Sequence, residues 1–83
     1  MRDVGRTTIY TKEHRRLANL LREVRKERDI RQVDLAKALK RPQSFVSKME
    51  AGQRRVDLVE LNEVCRALGI KLSTLVRRYE QEA

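Results

Sequence analysis

Apolar residues recur along this chain at the three- and four-residue intervals of helices that bury one face. The first stripe consists of Leu17, Leu20, Leu21 and Val24. Thr11 precedes it at a position where a hydroxyl can cap a helix, and Glu13 places a negative charge in the first turn. The pattern predicts a helix that begins after Thr11 and ends near Asp29, with Ile30 filling the corner that follows.

Two short helices joined by a tight turn are predicted next, at 32–39 and 43–51. The apolar side chains of the first share one face: Leu35, Ala36 and Leu39. The second helix has a minimal apolar side, formed by Val46 and Met49. Its other positions carry amide, hydroxyl and ammonium groups: Gln43, Ser44, Ser47 and Lys48.

The last third of the chain predicts two further helices. Asp57 is a candidate N-cap with Glu60 three residues later, as in a capping box, and Gly69 is a stop signal. The core stripe expected between them is Leu58, Leu61, Cys65 and Leu68, flanked by Val64. The fifth and shorter stripe is Leu72, Leu75, Val76 and Tyr79.

Length and composition fit one small all-α domain. The chain has 83 residues, enough for one small domain, and aromatic residues make up only 4% of it, which points away from a sheet. We therefore expect a compact five-helix bundle over 11–80. A mobile, basic arm at 1–10 and a short tail at 81–83 are expected to flank it.

The charge is unevenly distributed. The formal net charge is +8; residues 1–31 hold ten Lys and Arg against five Asp and Glu, and residues 32–55 hold six against two. Residues 56–83 are slightly acidic, with four against five. A basic half joined to a neutral half is typical of a nucleic-acid-binding face beside a separate packing or partner face. A short helix that offers donors and acceptors on its open side also suits the DNA major groove.

Segment 32–52 closely resembles the helix-turn-helix of phage repressors, Cro proteins and the related xenobiotic-response-element regulators of bacteria. The matching positions are Gln32, Leu35, Ala36, Val46, Met49, Glu50 and Gly52. The resemblance extends from about Leu17 to Val76, which is most of the chain. It implies the phage-repressor-like DNA-binding fold, with 43–51 as the recognition helix.

Two positions depart from the family pattern. Lys40 stands where Gly is usual, so the domain either tolerates a left-handed residue, at about 1–2 kcal/mol, or builds its turn differently. Arg31 stands where Ser or Thr usually caps the first motif helix, so either Asp29 substitutes or the cap is weaker. Pro42 fits the first turn of the recognition helix.

The resemblance also implies roles for individual residues. Base reading is assigned to Gln43, Ser44, Ser47 and Lys48, although Lys48 could instead bind a phosphate. Phosphate contacts are assigned to Gln32, Arg41, Arg54 and Arg55. Arg55 has an alternative, an ion pair with Asp57 or Glu60. Arg25 and Glu50 are expected to form a structural ion pair. Phe45 could touch a thymine methyl group or brace the backbone, but an aromatic residue at this position is expected to pack against a neighbouring helix.

The function that follows is a sequence-specific regulator of transcription that binds double-stranded DNA. It is expected to repress as a homodimer on a two-fold symmetric operator, in the cytoplasm and associated with the nucleoid. The fifth stripe, Leu72, Leu75, Val76 and Tyr79, is the expected dimer interface, unless it packs wholly against its own domain. The alternative is an antitoxin-like module that binds a small protein partner and its own promoter. A restriction–modification controller is a subtype of the first function.

Other classes of function have little support. The chain has no Gly-rich phosphate loop, metal-ligand cluster or nucleophile–base pair, so we expect no enzyme, cofactor or metal. Cys65 is the single cysteine and is expected to be a buried apolar residue, and His14 lacks a second histidine. No apolar run approaches the ~18 residues of a membrane span, and no signal-peptide core is present, so we expect no membrane partner.

Overall fold

Five helices and no strand occur in residues 11–81, the part of the chain that this computed structural model describes. They are α1 (Lys12–Glu27), α2 (Gln32–Leu39), α3 (Gln43–Glu50), α4 (Leu58–Leu68) and α5 (Leu72–Gln81). The predicted all-α, five-helix class is confirmed. The arm predicted at 1–10 and the last two residues of the tail lie outside the described residues.

Local capping chemistry fixes where the helices begin and end. The Thr11 hydroxyl oxygen accepts the His14 backbone N–H at 3.0 Å, which starts α1. At α4, Asp57 accepts the Glu60 N–H at 2.7 Å while Glu60 accepts the Asp57 N–H at 3.1 Å, so the predicted capping box is present. Gly69 then closes α4 with a φ of 78°, where the absence of a Cβ removes the steric cost.

The turn between α2 and α3 tolerates a left-handed lysine. Lys40 has φ 57° and ψ 43°, so the family's turn is kept without the family's glycine. Two hydrogen bonds offset the strain: the Lys40 N–H donates to the Lys37 carbonyl and the Arg41 N–H to the Ala36 carbonyl, both at 3.0 Å. Pro42 lies one residue before α3, with φ −64°, rather than inside its first turn.

The core lies between α1 and the other four helices. Its buried members are Leu20, Leu21, Val24, Leu35, Ala36, Phe45, Val46, Met49, Val64, Cys65, Leu68, Ile70 and Leu75. α3 packs against both α1 and α2, while α4 and α5 pack on each other and close the opposite side. α3 is therefore held on its inner side by two helices, and its outer side is open.

The core differs from the sequence prediction at three positions. Leu58 was expected inside but is 67% exposed, because it is the first residue of α4 and the buried face of that helix begins one turn later. Ile70 and Val56, which lie in connections between helices, pack on the core and were not expected there. Cys65 is fully buried, as predicted, and burial raises the pKa of its thiol.

Candidate nucleic-acid interface

The outer face of α3 is polar and open to solvent. Its four exposed side chains are the predicted base-reading residues: Gln43, Ser44, Ser47 and Lys48. The opposite face is buried and consists of Phe45, Val46, Met49 and Glu50. Eight residues of helix are about 12 Å long, close to the width of the DNA major groove. The structure therefore presents a groove-sized helix with one polar face.

The polar groups on this face have few internal partners. The Ser47 hydroxyl turns back to the Ser44 carbonyl at 3.5 Å, and the Gln43 amide donates to the Gln32 side-chain oxygen at 3.4 Å. Both distances are at the long end for hydrogen bonds, so the contacts are weak. Exchanging them for contacts with a base costs little.

The N-terminus of α2 lies beside Gln43. Gln32 is the first residue of α2, and the preceding Arg31 makes no side-chain cap. Arg31 instead pairs with Asp34 at 2.8 Å, and Asp29 does not replace the cap. The Asp34 N–H donates to the Arg31 carbonyl at 3.1 Å, and the N–H groups of Gln32 and Val33 make no hydrogen bond to a side chain of the described residues. These two groups suit an anionic oxygen such as a DNA phosphate.

A buried ion pair joins α1 to α3. The Arg25 guanidinium donates to Glu50 through Nε at 2.6 Å and through Nη2 at 3.1 Å, with side-chain exposures of 11% and 3%. Arg25 Nη1 also donates to the Ile30 carbonyl at 2.7 Å, and Gln32 donates its amide to Glu50 at 3.0 Å. One carboxylate thus connects α1, α2 and α3 and fixes the orientation of the recognition helix.

A second charged cluster flanks the other end of the polar face. The guanidinium carbons of Arg41 and Arg54 each lie 4.5 Å from the centroid of the Phe45 ring. Arg54 donates to both Glu60 oxygens at 3.2 and 3.0 Å, and Arg41 donates to one of them at 3.4 Å. The hydrogen bond from Arg54, followed by the one from the Asp57 backbone, lowers the pKa of Glu60 to about 2.

The ion pair with Glu60 that was the alternative for Arg55 is made by the neighbouring residue. Arg54, not Arg55, makes the ion pair with Glu60, while the Arg55 side chain is exposed and has no ion pair within residues 11–81. Burial, and then the charges of Arg55 and Arg15, lower the pKa of His14. Arg55 therefore makes no ion pair among the described residues, and its charge lies close enough to His14 of α1 to act on it.

Two arginines of α1 were missed by the sequence analysis. Arg15 donates to the carbonyl of Ala51, the C-cap of α3, at 3.2 Å, where a cation favours the helix dipole. Arg22 shares a groove beside α3 with Ser47 and Gln32. Their spacing of seven residues puts both on one side of α1, and this spacing was the available signal. They extend the positive surface along the far side of the recognition helix.

The predicted dimer stripe on α5 is only partly exposed. Leu75 is 1% exposed inside its own core, and Leu72 is half-buried against it. The Tyr79 hydroxyl donates to the Glu13 carbonyl at 3.3 Å, and the Arg16 guanidinium lies 4.2 Å from the Tyr79 ring centroid, so Tyr79 is tied to α1. Leu75 is therefore corrected from an interface residue to a core residue.

The exposed large apolar side chains among the described residues are Leu58, Val59 and Val76. Val76 is 40% exposed and borders an apolar groove that also includes Leu17 and Leu61. Leu58 precedes Leu61 by three residues on α4, so it lies on the same side of that helix. Val59 lies two positions before Leu61 and therefore on a different side of α4. Leu58 and Val76 form the apolar patch of this domain.

Metal and membrane sites have no structural support in the described residues. Across 11–81, no three His, Cys, Asp or Glu side chains are grouped so that they could hold a metal ion. None of the helices described is both long and apolar enough to cross a bilayer.

Taken together, a short helix with an open polar face, held by two helices and flanked by cations, defines a helix-turn-helix DNA-binding domain. A family model described as "Helix-turn-helix domain" matches residues 16–81. The chain belongs to this family, and its relatives identify it as a helix-turn-helix regulator of the Cro and xenobiotic-response-element type.

Three relatives illustrate the match. Control protein C.MunI from Mycoplasma sp is 37% identical over 68 residues, which cover 81% of this chain and 92% of that protein. The structure of an XRE-family like protein from Pseudomonas syringae pv. tomato str. DC3000 has a TM-score of 0.82 at 37% identity, covering 98% of this chain and 99% of that one. The restriction-modification controller protein C.Esp1396I, solved as a tetramer with its natural 35 base-pair operator, has a TM-score of 0.81 and covers 87% and 95%. Its identity of 17% shows the fold alone.

Proposed function

We propose that this chain represses transcription by binding a two-fold symmetric DNA operator as a homodimer, in the cytoplasm and associated with the nucleoid. The observation that carries the proposal is the open polar face of α3, which lies between two sets of cations. Arg41 and Arg54 lie on one side of it, and Arg22 lies on the other. Repression follows most simply from occupation of a promoter.

In this proposal the four side chains of the polar face read bases. The Gln43 amide at the start of α3 pairs with adenine through two hydrogen bonds, and Lys48, about one turn later, donates to guanine. Ser44 and Ser47 have hydroxyls that suit either base. Gln32 lies beside Gln43, with which it makes a weak hydrogen bond, and it begins α2, whose N-terminus would face a phosphate.

The relatives favour a particular subtype. Control protein C.MunI aligns with most of this chain at 37% identity, and C.Esp1396I, which shares the fold, was solved as a tetramer in complex with its own operator. We therefore propose a regulator of the controller subtype, in which dimers assemble on DNA. The antitoxin-like alternative differs in one observable, a small toxic protein that co-purifies with the chain.

Selection of bound sequences from random duplex DNA tests the proposal directly. The expected result is a two-fold symmetric consensus whose half-sites lie about one helical turn apart, or roughly 34–36 Å. An asymmetric consensus would contradict the homodimer, and recovery of no consensus would contradict sequence-specific binding.

The variant Gln43→Ala is expected to weaken binding to the selected operator by roughly 1–3 kcal/mol, because one bidentate base contact is lost. Discrimination should relax at one base pair in each half-site. Fluorescence anisotropy on the operator and on all single-base changes of it measures both effects. If affinity falls equally on every sequence, Gln43 contacts the backbone and does not read a base.

The variant Arg41→Ala is expected to weaken binding to all duplexes alike. Each phosphate neutralised contributes about −0.9 to the slope of log affinity against log salt, so the slope should flatten by about one. A titration of native and variant protein over a range of salt concentrations measures this slope. Asp34→Ala, which frees the exposed Arg31, is a control expected to leave the slope no flatter. An unchanged slope in Arg41→Ala would remove Arg41 from the phosphate contacts.

A further inference from the structure

Arg41 and Arg54 come from different connections but meet at the same two groups. Arg41 lies in the turn between α2 and α3, and Arg54 lies in the loop between α3 and α4. Each guanidinium carbon is 4.5 Å from the centroid of the Phe45 ring. Each also donates to the same Glu60 oxygen, Oε2, at 3.4 and 3.0 Å. The Phe45 ring and the Glu60 carboxylate thus hold both guanidinium groups close to each other.

The ring and the carboxylate are themselves held in place. Phe45 is 8% exposed and belongs to the core on the inner face of α3. The Glu60 side chain is 17% exposed, and its Oε1 accepts the Asp57 N–H at 3.1 Å within the capping box of α4. Neither group can follow the arginines if they move, so the arginines take their position from Phe45 and Glu60.

Both guanidiniums keep donors for a further acceptor. A guanidinium has five N–H groups, of which Arg41 uses one, at 3.4 Å. Arg54 uses its two Nη atoms for Glu60 and the Arg55 carbonyl, which leaves Nε free. Both side chains are 36% exposed and line a groove beside α3 with Ser44, Lys48 and Gln53. Three cations in this groove outweigh one carboxylate.

We propose that Glu60 and Phe45 are positioning residues that hold Arg41 and Arg54 as a preformed clamp for a DNA backbone phosphate beside the recognition helix. The inference rests on the proposed DNA-binding function and adds to it two residues that do not touch DNA. Holding the arginines in advance reduces the side-chain entropy that is lost when the phosphate binds. The carboxylate is required for affinity although it bears the same sign of charge as DNA.

In this proposal Glu60 raises the affinity for DNA, although its negative charge alone would lower it. Coulomb attraction alone predicts that removing a carboxylate strengthens DNA binding. The clamp predicts that Glu60→Gln weakens binding to operator and random duplex alike by roughly tenfold, because two side chains lose their position. The control is Glu63→Gln, which removes the same charge one turn along α4 from an exposed residue that makes no hydrogen bond within 11–81. It should bind as the native chain does, or slightly more tightly.

Anisotropy titrations of a labelled operator duplex at several salt concentrations measure these affinities, and circular dichroism checks that each variant is folded. If Glu60 acts through the arginines, Glu60→Gln should cost little in a chain that already carries Arg41→Ala and Arg54→Ala. Arg54→Lys supplies a second variant that leaves the capping box intact. It keeps the charge but loses the planar fork and the stacking on Phe45, so it should weaken binding about as much as Glu60→Gln.

The outcomes separate the two proposals. If the native chain binds no duplex at any salt concentration, the proposed function is wrong. If the native chain binds but Glu60→Gln and Arg54→Lys bind as tightly or more tightly, only the clamp is wrong, and Glu60 competes with the phosphate. A cost of Glu60→Gln that persists without the two arginines would also overturn the clamp.

Discussion

Replacing Glu50 with alanine should lower the free energy of unfolding by about 3–5 kcal/mol, because a buried cation loses its partner. Arg25 is 11% exposed and donates twice to Glu50, and Gln32 donates to the same carboxylate. Water cannot replace these contacts without opening the junction of α1 and α3. Small domains are stable by only 5–15 kcal/mol, so this loss is large. In thermal unfolding it corresponds to a Tm lower by at least about 12 °C.

Urea unfolding followed by circular dichroism measures the loss as a change in midpoint at constant slope. Glu23→Ala is the matched control, since Glu23 is exposed on α1 and makes no hydrogen bond in the described part of the chain. It should change stability by no more than about 0.5 kcal/mol. The double variant Arg25→Met with Glu50→Leu should lose less than Glu50→Ala, because no unpaired charge stays buried. A midpoint for Glu50→Ala equal to that of the control would show that the pair contributes nothing.

Features that depend on a few neighbouring residues could be read from the sequence. The Thr11 cap and the Asp57–Glu60 capping box involve residues three apart, so residue type and spacing determine them. α2 has the predicted bounds because Gln32 begins a periodic stripe and Lys40 ends it in a left-handed turn. α1 ends at Glu27, two residues early, because Asp29 also adopts a positive φ of 56°.

Features that depend on which distant element lies nearby could not be read from the sequence. Leu58 continues the apolar spacing of α4, but periodicity does not say how far along a helix its neighbours reach. Arg54 and Arg55 precede Glu60 by six and five residues, and only the path of the loop decides that Arg54 makes the contact. The position of the Phe45 ring fixes that choice, since Arg54 packs on it.

Among the polar residues of the candidate interface, some features also follow from the local sequence, whereas others depend on which helices pack together. The polar face of α3 could be predicted from composition and spacing, because four polar residues on one side of a short helix must share a surface. That this face reads bases is what the family resemblance implies. The partnership of Arg25 with Glu50 spans 25 positions, and it was expected only from the family resemblance. The spacing of Arg15 and Arg22 puts them on one side of α1, but only the packing of α1 on α3 brings that side next to the polar face of α3.

Disrupting the apolar patch should abolish cooperative loading of two copies on a symmetric operator. Leu58 and Val76 are 67% and 40% exposed, and a second copy of this chain would cover them in the proposed homodimer. Two joined half-site contacts gain roughly 10²–10⁴ in affinity over one, so the variant Leu58→Asp with Val76→Asp should bind operator at least about a hundredfold more weakly. Sedimentation with a labelled duplex counts the copies bound.

The variant is chosen so that a loss of dimerisation can be distinguished from a loss of folding. Asp at position 58 lies in the first turn of α4, where a negative charge favours the helix dipole, and Val76 is accessible without opening the core. Ser73→Asp with Gln81→Glu is the control, because it adds two negative charges at exposed polar positions of α5 and should still load two copies. Tyr79 is left intact, since it anchors α5 to α1 through the Glu13 carbonyl. If Leu58→Asp with Val76→Asp still loads two copies cooperatively, the dimer forms through another surface. If the native chain loads only one copy, the homodimer itself is wrong.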